Sequence, residues 1–119
     1  MNVAVIGASD HPDRYSYMAV MLLKENGYAV FPVHPKLKAI EGMRVYPTLK
    51  DIPEHMDTLS LYVSQELSSK MQEELFNAAP RRIIFNPGAE NPALEAKARE
   101  KGIETLEACT LVMLKTGQF

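Results

Sequence analysis

The chain has 119 residues, 46% of them hydrophobic, which is the size and composition of one globular domain with a real core. A formal net charge of −2 gives no electrostatic reason to expect nucleic acid as a partner, and the longest apolar runs are far too short to cross a bilayer. One cysteine excludes an intramolecular disulfide framework, and three scattered histidines offer no metal-ligand spacing; with no basic secretory N-terminus, the expected location is the cytoplasm. From the N-terminus, Val3 to Ile6 is an apolar run without polar alternation, the mark of a strand buried on both faces. A Gly7-Ala8-Ser9 turn follows it. Tyr15, Met18, Ala19, Leu22 and Leu23 then recur at helical spacing, and Gly27 stands at the helix C-terminus. Tyr28 to Val33 is a second strand, ending in His34-Pro35-Lys36, so residues 3–33 make one right-handed βαβ unit.

Leu37 to Pro53 is less regular: Gly42 and Pro47 punctuate it, Val45-Tyr46 suits a short edge strand, and Leu49 to Ile52 suits a brief helical turn. Leu59 to Val63 reads as a strand. Ser64 caps one continuous helix with Leu67, Met71, Leu75 and Ala78 on its apolar face, closed by Pro80. Arg82 to Phe85 is a strand entering the loop Asn86-Pro87-Gly88-Ala89-Glu90, after which Asn91-Pro92 starts a helix that Gly102 stops. Ile103 to Leu106 is the last strand. The apolar tail, Cys109 to Leu114, forms a short helix or buries itself in a partner.

This alternation predicts a Rossmann-like, three-layer α/β/α fold with a mostly parallel sheet of about five strands. Ligands of such sheets bind outside the carboxyl ends of the strands, where the strand order reverses. Four loops therefore matter: 7–15, 34–36, 63–65 and 86–91. The first departs from the dinucleotide fingerprint G-x-G-x-x-G, because Ser9 and Pro12 stand at the later glycine positions. The second strand ends in Lys36 instead of the acidic residue that holds a ribose diol, which favours an extra phosphate on the ribose. NADP and coenzyme A both carry one. No P-loop is present.

Val5-Ile6-Gly7-Ala8-Ser9, Pro12-Asp13-Arg14-Tyr15-Ser16, Gly27-Tyr28 and Pro32-Val33-His34-Pro35-Lys36 resemble the small stand-alone CoA-binding proteins. These are similar to the N-terminal domain of the succinyl-CoA synthetase α subunit. Gly42, Tyr46-Pro47-Thr48-Leu49 and Asn86-Pro87-Gly88-Ala89-Glu90-Asn91 fit the same family, so the likeness covers nearly the whole chain. The resemblance implies binding of coenzyme A or an acyl-CoA. It puts Gly7, Ala8 and Ser9 under the pyrophosphate with Arg14 and Tyr15 nearby, and Pro35 and Lys36 by the adenosine and its 3′-phosphate. Val63 and Ser64 lie along the adenine side, and Asn86, Pro87 and Gly88 along the pantetheine. Where family members carry Asp-Arg-Cys, this chain reads Glu107-Ala108-Cys109, without the basic residue. The synthetase's phosphohistidine belongs to a second domain, so its ligase chemistry does not transfer to this chain.

Each of these residues also has a plainer reading. Gly7 serves a turn, Ser9 caps it, Arg14 and Lys36 are solvated charges, Tyr15 packs at a helix start, and Asn86 and Asn91 satisfy a loop and cap a helix. Cys109 is the tempting nucleophile, for thiol exchange with CoA, but a lone cysteine in an apolar stretch is ordinarily buried and inert. His11 and His34 lie in ligand loops; His55 reads as structural. No nucleophile–base pair, acid pair or metal set is visible, so a binding or regulatory module is expected in preference to an enzyme. The alternatives are an NADP-binding oxidoreductase-type domain and an interaction subunit that pairs with a protein partner, or with itself, through the C-terminal tail.

Overall fold

The computed structural model describes every residue from Met1 to Phe119. In chain order the elements are β1 (Asn2–Ile6), α1 (Tyr15–Glu25), β2 (Ala29–Val33), β3 (Ala39–Ile40), β4 (Met43–Arg44), a 3-10 turn (Leu49–Asp51) and β5 (Thr58–Leu61). They continue with α2 (Gln65–Lys70), α3 (Gln72–Asn77), β6 (Arg82–Phe85), α4 (Pro92–Glu100), β7 (Glu104–Glu107) and α5 (Thr110–Lys115). The main sheet has the order β2-β1-β5-β6-β7 with every pair parallel, as the sequence predicts. Its order reverses between β1 and β5.

The missing alternation in β1 has a direct cause. Val3 and Val5 point to one face, among Val20 and Leu23 of α1, with Leu114 at the margin. Ala4 and Ile6 point to the other, among Leu59, Leu61, Leu75 and Leu94. Helices α1 and α5 cover the first face, and α2, α3 and α4 cover the second. Each fully buried Leu or Ile contributes about 1.5–3 kcal/mol of transfer free energy, so this two-sided core carries most of the stability.

Three local features differ from expectation. The helix predicted from Ser64 to Pro80 is broken at Met71 (φ −97°, ψ 1°) into α2 and α3. The two halves answer to different anchors: Ser68 Oγ accepts from Asn91 Nδ2 at 2.9 Å, and Glu74 Oε1 accepts from Leu49 N at 2.6 Å. Residues 39–44 form a tight hairpin, with Glu41 (φ 46°) and Gly42 (φ 80°) both in the left-handed region that a two-residue turn requires. Val45-Tyr46 forms no strand, but Tyr46 bridges to Val33, donating its amide to Pro32 O at 2.9 Å and accepting from His34 N at 3.0 Å. That bridge covers one sheet edge; Glu104 and Glu107 flank the other, β7, with exposed charge. Of the two expectations for the tail, the short helix is the one seen: it folds back on its own chain as α5, with Leu111 and Met113 buried, and Phe119 lies edge-on to Tyr28 at 5.1 Å. Arg82 holds that end, its guanidinium 4.4 Å above the Phe119 ring and donating to Phe119 O at 2.8 Å. No helix is long and apolar enough to cross a membrane.

Candidate functional site

A cleft of about 820 Å³ opens at the carboxyl end of the sheet, where the strand order reverses. Its floor is the turn that follows β1. Gly7 has φ +87°, and a Cβ there would lie 2.9 Å from Tyr62 O and 3.0 Å from Val63 Cγ1, so both backbone conformation and space require glycine. The amides of Gly7 and Ala8 are spent on Val33 O, at 3.1 and 3.2 Å, which locks the turn to the neighbouring strand. The amides of Ser9 and Asp10 have no acceptor within the chain, and Ser9 Oγ accepts the His11 amide at 3.1 Å. Beyond the loop, α1 begins at Arg14 with no side-chain cap and no acidic residue in its first turn. Its first amides are thus presented to the loop region, where a partial positive charge favours an anion.

Two strongly basic groups, Arg14 and Lys36, line the cleft. Arg14 lines the cleft and also a smaller cavity of about 340 Å³ shared with Gly7, Tyr15, Ser16 and Tyr62. Tyr15 is 68% exposed, lines only that smaller cavity and does not pack in the core. On the far wall, Pro35 and Lys36 are exposed at the turn after β2. His34 Nδ1 accepts the amides of Lys36 and Leu37 at 3.1 and 3.2 Å. The third wall is apolar: Val63, Leu67 and Met71, with Leu67 45% exposed. Ser64 is turned to α2, accepting the Leu67 amide at 3.2 Å as its N-cap, and does not line the cleft.

The 86–91 loop is arranged differently. Asn86 is wholly buried; its Nδ2 donates to Ser60 Oγ and Leu61 O, both at 2.9 Å, and its Oδ1 accepts the Thr110 amide at 2.8 Å. It pins β5, β6 and α5 together. Pro87 and Gly88 are exposed, and none of the three lines the cleft. Asn91 caps α4 through Leu94 N at 3.2 Å and donates to Gln65 O, Ser68 Oγ and Ser69 Oγ.

Away from the cleft, the Tyr62 phenol is pushed up to about 12, above all by burial, with no hydrogen-bond partner in geometry and Thr110, Ser60 and Cys109 as its polar neighbours. Glu107 is raised by hydrogen bonding to, and the charge of, Glu95, whose own Oε2 accepts the Asn91 amide at 3.0 Å. Cys109 is half-buried at the start of α5 and does not line the cleft.

A family model described as a CoA binding domain matches residues 1–115. The chain belongs to the CoA-binding domain family. This CoA-binding domain is 28% identical over 100 residues to YneT, an uncharacterised Bacillus subtilis protein, covering 84% of this chain and 74% of that one. It is 29% identical over 101 residues to the α subunit of an ADP-forming acetate–CoA ligase from Pyrococcus furiosus, covering 83% of this chain but only 22% of the subunit. Among solved structures, an uncharacterised protein with 35% identity superposes with a TM-score of 0.93, covering 99% of this chain and 97% of the other. A hypothetical protein from Pyrococcus horikoshii, 28% identical, gives 0.89 over 96% of this chain and 81% of its own. The ligase relationship connects the domain to the succinyl-CoA synthetase-like CoA-binding domains that the sequence resembles.

Sequence reasoning missed part of the wall of this CoA-binding domain: Leu67, Met71 and Glu74 all border the cleft. The helical spacing of Leu67 and Met71 pointed to the core. The available signal was position, since Leu67 and Met71 lie in the first two turns after a strand's carboxyl end, where a helix overhangs the site.

Proposed function

We propose that this domain binds coenzyme A or an acyl-CoA, with the pyrophosphate over the Gly7-Ala8-Ser9 turn and the nucleotide half in the 820 Å³ cleft. The observation that carries the reading is the switch-point cleft itself, with unpaired Ser9 and Asp10 amides in the turn at its floor and Arg14 and Lys36 among its lining. Backbone amides approach phosphate closely only where side chains are small, and Arg and Lys add charge-assisted hydrogen bonds. Lys36 and Pro35 take the 3′-phosphate and adenosine, and Val63 and Leu67 supply an apolar wall for the base, with Ser64 behind it. Arg14 and Tyr15 flank the route past Gly7 toward the smaller cavity, where the pantetheine arm leaves. Contacts from the 86–88 loop to that arm fall to the ring of Pro87 and the carbonyls of Pro87 and Gly88, because the Asn86 side-chain amide and the Gly88 N–H are already committed.

The reading is of a binding module. Three polar groups on the cleft wall serve the fold: Ser9 Oγ accepts His11 N, His34 Nδ1 accepts two amides, and Glu74 Oε1 accepts Leu49 N. Calorimetric titration of nucleotide-stripped protein with CoA, dephospho-CoA and NADPH tests it. Tighter binding of CoA than of dephospho-CoA, with NADPH silent, is expected; a preference for NADPH sinks the assignment and favours the oxidoreductase-type alternative.

A further inference from the structure

His34 is the cleft side chain hydrogen-bonded to the turn that bears Lys36. Pro35 brings no amide to that turn, so the turn is closed by a side chain: the Lys36 and Leu37 amides both converge on His34 Nδ1. An imidazole nitrogen that accepts amide hydrogens carries no proton, so in the neutral ring the proton lies on Nε2. Nε2 has no partner in the chain, and His34 lines the cleft. The clamp by itself does not call for histidine. Asparagine closes such side-chain-to-backbone turns with Oδ1 in the place of Nδ1, but it has no donor at the reach of Nε2.

We propose that His34 sets this site's preference for a ribose that carries a phosphate: Nδ1 holds the turn that presents Lys36 to the phosphate, and Nε2–H donates to an acceptor on the nucleotide. His34 is thus a positioning residue through one nitrogen and a ligand contact through the other. The inference rests on the CoA reading of the cleft, but the nitrogen state is a property of the ligand-free protein and can be measured without that reading.

Two isosteric variants separate the roles. His34→Asn keeps an acceptor near Nδ1 and removes the far donor; His34→Gln restores a donor near Nε2 and removes the clamp. Imidazole ¹⁵N shifts of ligand-free wild type should show an unprotonated Nδ1. Titrations should then show H34N weakening CoA and dephospho-CoA alike, by roughly fivefold, with their affinity ratio kept. In H34Q the ratio itself should fall to within about twofold of unity, because the Lys36 turn is loosened. A protonated Nδ1, a wild-type ratio in H34Q, or wild-type affinity for both ligands in H34N overturns the proposal; if H34Q does not fold, the ¹⁵N state of Nδ1 tests the clamp and H34N tests the donor. Wild type that binds neither ligand, with Nδ1 unprotonated, removes the CoA reading and the specificity role together while leaving the clamp as a fact of the fold.

Discussion

The 7–15 loop and the 86–91 loop leave the same edge of the same sheet and are built from the same kinds of residue, yet they use their polar groups in opposite ways. In the first, two amides are tied to Val33 O and the next two have no acceptor, while Arg14 extends beside them. In the second, Asn86 serves three partners inside the chain, and Asn91 serves the α4 cap and three acceptors on α2. One loop leaves donors unspent, and the other spends them on holding β5, β6, α2, α4 and α5 in register. Glycine, serine and asparagine at a strand's carboxyl end therefore mark a loop without saying which of these it is. What separates the two is how many donors remain after the fold is satisfied.

The sharpest test of that contrast is Asn86→Ala. It strands the Thr110 amide in the interior and takes one bond each from Ser60 Oγ and Leu61 O, which keep Thr110 Oγ1 and the residue-86 amide. Stability should fall by about 2–3 kcal/mol, read from urea denaturation, while CoA affinity of the folded protein changes less than about twofold. A large affinity loss in fully folded protein would erase the distinction between the loops. Next comes Gly7→Ala, where the left-handed backbone and the contact with Tyr62 O should cost about 2–3 kcal/mol of stability and weaken CoA as well, since the floor must shift. Arg14→Ala and Lys36→Ala should do the reverse of Asn86→Ala: melting temperatures nearly unchanged, CoA affinity down by about 1.5 kcal/mol each, and a smaller Lys36 effect with dephospho-CoA. Equal Lys36 losses with both ligands would move that side chain off the 3′-phosphate.

The smallest effect concerns a polar group that serves neither purpose. Tyr62 hides a hydroxyl without a partner, and burial raises its folded-state value to about 12 from the ordinary 10. A group raised in the folded state stabilises fully below its unfolded value and stops doing so as pH climbs through the folded one. Stability should therefore decline between about pH 10 and 12 in wild type. Tyr62→Phe should flatten that alkaline decline and change stability near neutrality by less than about 1 kcal/mol, measured by thermal melts across the pH series.

Much of the fold was legible because its signals are local. Val3–Ile6 is apolar at every position since both faces of β1 are covered, and Asn91-Pro92 and Gly102 announce the two ends of α4 through backbone chemistry alone. The break at Met71 was not legible, because no glycine or proline causes it; Asn91 and Leu49, distant in sequence, pull the two halves onto different anchors. The hairpin at Glu41-Gly42 hid behind a glutamate in a position that ordinarily takes Asn or Asp. In the site, Gly7 and Lys36 were readable from type and place. The commitment of Asn86 was not, since its partners Ser60 and Thr110 flank it at separations that no periodicity connects.

Phe119 has a practical consequence. It is gripped by Arg82 and Tyr28, beside Thr58, where β2, β5 and β6 begin, whereas the cleft lies where the strands finish. A fluorophore or surface tether placed on the exposed surface beside Phe119 would thus stand at the opposite pole from the cleft, so candidate ligands could be titrated into an immobilised protein without shading that pocket.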